Sequence, residues 1–402
     1  MDFLSIRPLF STYGQWLIYF IIITLLLKNL RYFKKHYNSK DIKWINLYLI
    51  WIAICLVRGV FEASNYWEYK SLVNNGFALL LIVAIYKFTD PKLIQLFFAS
   101  YLKYMFAFFI PVFFLIDSVG FGYYLSPISF LILFFPLLSK QWKLFFVLIS
   151  SFVILSDFDA RSNVIKFIVP FLLSFLSYFS QLLNSKIFKK SAFIILFSLP
   201  FFFLALASFQ IFNVFKMEEY ISGNYSEKKI IDGESVEINL KADTRTALYI
   251  EVISSAINND YLFLGRTPAR GNDSKLFGSY SAESLKTGRY ERSSNEVSIL
   301  NILTWTGILG VILYLFIFLK GVYLSFFKSN NKYVKILGLY VGFRWIYAWV
   351  EDYNTFSIMN VILFISISIL YSKSLRSMNN KEVASWFKGI FNTQTNNIVQ
   401  IN

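Results

Sequence analysis

Arginines and carboxylates set against a long apolar run make residues 243–313 the stretch with the most chemistry in it. The stretch reads DTRTALYIEVISSAI, then LGRTPARGND, then RYERSSNEVSILNILTWTGILGVILYL. Leu248, Val252, Ile253 and Ala256 recur at helical spacing, which predicts a short amphipathic helix with Asp243 as its N-cap and Arg245 in its first turn. A cation there opposes the helix dipole by roughly some tenths of a kcal/mol, and a bound anion would reverse the sign. Pairing of Arg245 with Asp243 or Glu251 is the alternative. Arg266 and Arg270 lie in a Gly-Arg-Thr-Pro turn, and Arg289 and Arg292 form a second basic cluster just before an apolar helix. Guanidinium groups converging at a membrane surface suit an anionic, lipid-borne ligand.

Glu296 heads that apolar helix. Proximity to hydrocarbon suits such a carboxylate to take a proton from a sugar hydroxyl, and a plain helix-start carboxylate is the equal alternative. Asp157 and Asp159, in SDFDARSN, have the Asp-x-Asp spacing that can hold a divalent ion, a pairing that chance also produces, so Arg161 is the more informative member of that group. Arg58, Arg161, Lys166 and Arg344, with Glu351 and Asp352 nearby, lie at or near the ends of apolar runs. Charges so placed either pair structurally or line a polar cavity. Arg344 and Glu351, seven apart, lie on one helix face, where pairing with each other would satisfy both. Lys103 reads as a snorkelling lysine.

The elements that must position these groups are membrane helices. Of the 402 residues, 56% are hydrophobic, and they come in runs of the length a bilayer requires. The runs predict an all-α polytopic membrane protein of about 11 transmembrane helices (10 to 12). They fall near 12–27, 44–61, 71–88, 96–116, 121–138, 142–156, 163–183, 191–214, 296–319, 333–350 and 354–372. Residues 1–215 then hold helices one to eight, 216–295 a large extramembrane loop with the amphipathic helix, 296–372 helices nine to eleven, and 373–402 a cytoplasmic tail.

Charge placement orients this layout. Twenty-one Lys and Arg and only three acidic residues, Asp41, Asp90 and Glu382, fall on alternate connecting segments, which are cytoplasmic by the positive-inside rule. The 216–295 loop, with eleven basic and twelve acidic residues, is nearly neutral and falls on the other side. The net charge of +15 is therefore a topological label and not a nucleic-acid footprint. No Gly-rich phosphate loop follows a strand, so ATP-driven chemistry has no visible home. Cys55 is the only cysteine and His36 the only histidine, the latter among lysines and read as solvated. A disulfide framework, a cysteine metal site and histidine-based catalysis are all disfavoured.

Three segments together resemble the bacterial O-antigen polymerase and O-antigen ligase superfamily of membrane glycosyltransferases. ARSNVIKFIVPFLL is similar to that family's arginine at the outer end of a middle helix. DTRTALYIEVISSAINNDYLFLGRTP resembles its arginine-led loop helix ending in a glycine turn, and NEVSILNILTWTGILGVILYLFIF resembles the helix after the large periplasmic loop. The resemblance covers roughly residues 155–325 and the overall layout.

It implies transfer of an oligosaccharide from an undecaprenyl diphosphate donor at the periplasmic face of the inner membrane, without a nucleotide, cofactor or essential metal. Arg161, Arg245 and Arg266 would bind the diphosphate. Arg270, Arg289, Arg292, Arg58 and Arg344 would make saccharide or secondary anion contacts, and Glu296 would be the base. Ligases of the superfamily carry a histidine near the start of the helix after the loop, where this chain has Glu296. The resemblance therefore points to a polymerase, with a second lipid-linked repeat unit as acceptor and a chain-length regulator as a possible partner. A ligase, or a flippase or exporter of lipid-linked oligosaccharide, are the competing readings. A transporter is expected to carry charges at the membrane midplane and related halves, neither of which is visible here.

Overall fold

The computed structural model describes residues 12–114, 116, 118–156, 161–216, 219–220, 226–231, 234–239, 245–275 and 278–392. Among these residues the chain is almost wholly α-helical, with two small antiparallel ladders. The principal helices are α1 (Thr12–Leu27), α2 (Lys43–Glu62), α3 (Tyr66–Leu80), α4 (Pro91–Phe113), α5 (Lys140–Ser156), α6 (Arg161–Phe175), α7 (Lys186–Ser208), α8 (Thr246–Asn258), α9 (Ser298–Lys328), α10 (Lys332–Tyr347), α11 (Ile358–Tyr371) and α12 (Asn380–Asn392). The loop region adds β1 (Ser226–Ile231), paired with β2 (Glu234–Asn239), and β3 (Asn272–Asp273), paired with β4 (Glu291–Arg292).

Helices stand at each of the eleven predicted places, but their lengths sort them. Four among the described residues are long and apolar enough to cross a bilayer: 43–62, 66–87, 186–208 and 298–328. The bent pair Thr12–Leu27 and Leu30–His36 makes a fifth if taken as one span. Over 118–137 proline intervenes. Residues 118–137 break into Ser118–Tyr124, Ser126–Ile132 and a 3-10 turn at Phe135–Leu137, with Pro127 and Pro136 each at the start of a new piece. Proline lacks the N–H that a continuing helix needs and tolerates the first turn. α11 has only 14 residues, short of the ~20 that span hydrocarbon.

Helices α9, α10 and α11 form the centre. They are apolar on all sides rather than on one stripe, which is the pattern of a helix surrounded by others, and Trp305, Tyr314, Trp345 and Tyr371 are fully buried there. α2, α7 and α8 pack around α9. The outer helices turn large apolar side chains outward, including Leu17, Phe20, Ile50, Phe61, Ile187 and Ile194. An exposed apolar belt of that extent suits lipid rather than water.

At the end of the bundle away from the loop, the rare acidic residues bind the basic segments together. Asp41 lies 2.9 Å from Lys320 and 3.4 Å from Arg376. His36 lies 3.7 Å from Asp90 and 3.4 Å from the Ser374 hydroxyl, so the histidine is held in a packed joint rather than solvated. The amphipathic α12 buries Val383, Trp386, Phe387 and Ile390 and donates a hydrogen bond from Trp386 Nε1 to the Pro91 carbonyl. Cys55 is buried inside α2.

Candidate functional site

A broken helix positions the loop-bearing end. α9 is interrupted at Gly307, whose φ of 67° and ψ of −176° no other residue type adopts readily. The break frees backbone groups about 13 Å along the helix, at a rise of 1.5 Å per residue. The Gly-Arg-Thr-Pro turn fills it. Arg266 N donates to Thr304 O (2.7 Å) and Ile308 N donates to Leu262 O (2.9 Å), while Trp51 Nε1 donates to Thr306 O (2.8 Å). The approach is close enough that a Cβ on Gly307 would lie 2.2 Å from Phe263 O, and one on Gly265 would lie 2.5 Å from Gly307 N. Arg58 caps the turn by donating to the carbonyls of Leu264 (2.9 Å) and Gly265 (3.1 Å), with Glu62 at 3.6 Å. Its contacts are those of a brace.

α8 lies across the first half of α9 through Leu248 and Val252, which pack on Val297, Leu300 and Leu303. Leu248, Val252 and Ala256 of the predicted stripe are buried, and Ser255 takes the fourth buried place while Ile253 is half-buried. The helix begins at Thr246, so Arg245 occupies the cap position rather than the first turn, and Asp243 lies outside the described residues. Glu251 is not the partner of Arg245, since it accepts from Ser274 Oγ (2.7 Å) and Lys275 N (2.9 Å).

Two charged groups flank this scaffold. In the first, Arg245 NH2 lies 3.8 Å from both Glu296 Oε2 and Glu351 Oε2, and its Nε donates to Val350 O at 3.2 Å. Arg292 NH2 donates to Glu296 Oε1 at 3.2 Å. Glu351 also faces Lys166 (3.7 Å) and accepts from Tyr123 OH (3.2 Å). The expected Arg344–Glu351 pairing does not form, because α10 stops at Tyr347 and the seven-residue spacing loses its helical meaning. Arg344 instead points inward, donates to Tyr340 OH (3.3 Å) and lies 4.6 Å above the Tyr353 ring. Glu296 lies two residues before α9, with its side chain 36% exposed.

Beside it, half-buried Asp352 accepts from Asn354 N (2.9 Å) and Ser298 Oγ (3.3 Å). Burial outweighs those bonds and pushes its carboxyl up to about 6. Buried amides tie the loop to the helix start: Asn301 donates to Asn295 O (2.9 Å) and Asn295 donates to Asn272 Oδ1 (3.0 Å).

The second group sits on the other face of β4. Arg270 makes a two-pronged contact with Glu291, Nε to Oε2 at 2.9 Å and NH2 to Oε1. Arg266 donates to Asp273 Oδ1 at 2.6 Å and lies 3.5 Å from Glu291. Arg289 reaches Glu68 Oε1 at 2.5 Å. The hydrogen bonds that Arg270 donates to Glu291 raise Arg270, and at Asp273 burial, which raises the carboxyl, is outweighed by bonds from Arg266 and Asn259. Every arginine of this group faces a carboxylate, which describes a latch between the loop and α3.

The predicted residues thus divide. Arg245, Arg292 and Glu296 meet in the first group, together with Lys166 and Glu351. Arg266, Arg270 and Arg289 meet in the second. α6 begins at Arg161, whose side chain lies outside the described residues, as do Asp157 and Asp159. No group of three or more His, Cys, Asp or Glu side chains able to hold a metal occurs among the described residues. Tyr123 and the linking role of Glu351 escaped sequence reasoning. A tyrosine in an aromatic-rich run and a carboxylate whose partners sit far away along the chain leave no local signal. Compared with family models, curated proteins and solved structures, the chain has no match.

Proposed function

We propose that the chain is a polysaccharide repeat-unit polymerase of the bacterial inner membrane, with about 11 spans and its loop-bearing end facing the periplasm. It moves a glycan from undecaprenyl diphosphate to the terminal sugar hydroxyl of a second lipid-linked unit. The observation that carries the reading is the first charged group. Arg245, Arg292 and Lys166 gather around Glu296 and Glu351 where α6, α9 and α10 come together, at the end of a bundle with an apolar exterior. Cations held half-buried beside hydrocarbon suit the headgroup of a lipid anion. The gathering of Arg266 into the latch shifts the diphosphate role onto Arg245 and Arg292, with Arg161 as the third candidate. Phosphoryl oxygens take the two guanidiniums from Glu296. The freed carboxylate then accepts the proton of the attacking hydroxyl as the new glycosidic bond forms, and the diphosphate leaves with the electron pair of the old one.

The test is a deletion strain complemented with the wild-type chain or with Arg245→Ala. The expected result is long-chain polysaccharide with the former and single repeat units, a loss of about 100-fold or more in polymer, with the latter. Normal long chains in the uncomplemented strain would remove the proposal. Transport of lipid-linked units in vesicles without any new glycosidic bond would favour an exporter instead.

A further inference from the structure

Beneath the Arg245 group the helices enclose charge that a structural pair does not account for. Lys166, on α6, is 6% exposed. Its ammonium donates to Ser162 Oγ at 3.2 Å, lies 3.9 Å above the Tyr123 ring, and reaches Glu351 only at 3.7 Å. Glu351 is already shared with Arg245 and with the Tyr123 hydroxyl. Within electrostatic reach of Lys166 is Arg344, 4% exposed, whose Nε and NH2 have no hydrogen-bond partner among the described residues. Two buried cations in electrostatic reach of each other, only Lys166 of them with a carboxylate and that one shared, make a costly arrangement inside a membrane protein. Among the described residues around this site, the cations Lys166, Arg245, Arg292 and Arg344 outnumber the carboxylates Glu296, Glu351 and Asp352 by one. Unsatisfied buried donors call for an acceptor.

Building on the anion site described above, we infer that Lys166 is a ligand-binding cation: it leaves Glu351 to take a phosphoryl oxygen of the anion that Arg245 holds. Arg344 supplies fixed positive charge behind it, and Tyr123 keeps Glu351 in place once Lys166 has moved. The ligand chemistry is a phosphoryl anion, and a lipid diphosphate and free inorganic pyrophosphate are its two possible sources.

The experiment uses the full chain in lipid nanodiscs, with farnesyl diphosphate and inorganic pyrophosphate as separate probes and affinity as the readout. Lys166→Met is expected to weaken farnesyl diphosphate about tenfold or more, and Lys166→Arg to stay within about threefold of wild type. Because Lys166→Met strands Glu351, the double variant Lys166→Met with Glu351→Gln is measured alongside. Recovered thermal stability with affinity still down about tenfold upholds the inference, since a merely structural pair would restore both. Wild-type affinity in Lys166→Met or in the double variant overturns it. Lys166-dependent binding of pyrophosphate as tight as that of the lipid upholds it and assigns the source to the free anion. Binding that depends on Lys166 in a chain that makes no polymer keeps this inference and removes the polymerase. Normal polymer and normal affinity in Lys166→Met do the reverse.

Discussion

Arg245 shows how one guanidinium can be held ready for a ligand. It stands 3.8 Å from each of two carboxylates, outside ideal hydrogen-bond distance, with its Nε fixed to a backbone carbonyl. Those two long contacts cost little to exchange for phosphoryl oxygens, which a planar fork grips better than a point charge. Arg245→Lys is accordingly expected to keep the fold and lose about tenfold or more in polymer formed by complemented cells. Full activity would show that a simple positive charge suffices.

Asp352 makes a different prediction. Burial raises its carboxyl to about 6 from the ordinary 3.8, so its stabilising contribution is complete below about 3.8 and is lost as pH rises through about 6. Asp352→Asn removes that dependence. Relative to wild type, its melting temperature in detergent should be higher by roughly 2 °C at pH 7 than the same comparison gives at pH 5. An equal difference at both values would show that Asp352 does not carry the linkage.

Among elements, the broken α9 and the turn that fills it govern the loop-bearing end. The two glycines meet backbone to backbone, so a methyl group has no flexible side chain to push aside. Gly265→Ala and Gly307→Ala combine that collision with a positive φ, while Gly288, also at positive φ (68°), has open space around its missing Cβ. Gly288→Ala should cost about 1 kcal/mol, and the other two at least about 3 kcal/mol, read as melting temperatures of the purified protein. Three equal losses would mean that the plug is not held by close contact. The motif's glycines were legible from sequence as turn formers, but their docking into each other was not, since nothing in LGRTP or WTGIL announces a partner some forty residues away. The stripe of α8 was legible because helical periodicity is written in neighbouring residues.

Across the whole molecule, charge is sorted between two ends. The basic segments meet around Asp41 and Asp90, and the near-neutral loop docks at the opposite end. Single-cysteine labelling tests which end faces out. In a Cys55→Ala background, which removes a buried thiol, an impermeant maleimide applied to spheroplasts should modify Lys275→Cys and spare Lys381→Cys, both exposed positions. The reverse pattern would turn the site to the cytosol and end the proposed reaction with a periplasmic donor.

Apolar run length and the stripe of α8 determined an all-α chain with several helices long and apolar enough to cross a membrane, because each depends on residues close together in the chain. Where each helix ends was decided only in the structure, as where residues 118–137 break at Pro127 and Pro136. Which charges meet was decided by tertiary structure alone. Glu351 gathers Lys166, Arg245 and Tyr123 from separate elements, and Arg266 joins Asp273 and Glu291 in place of Arg245. A charge takes whichever partner packing brings within a few ångströms, and local spacing holds no record of that distance.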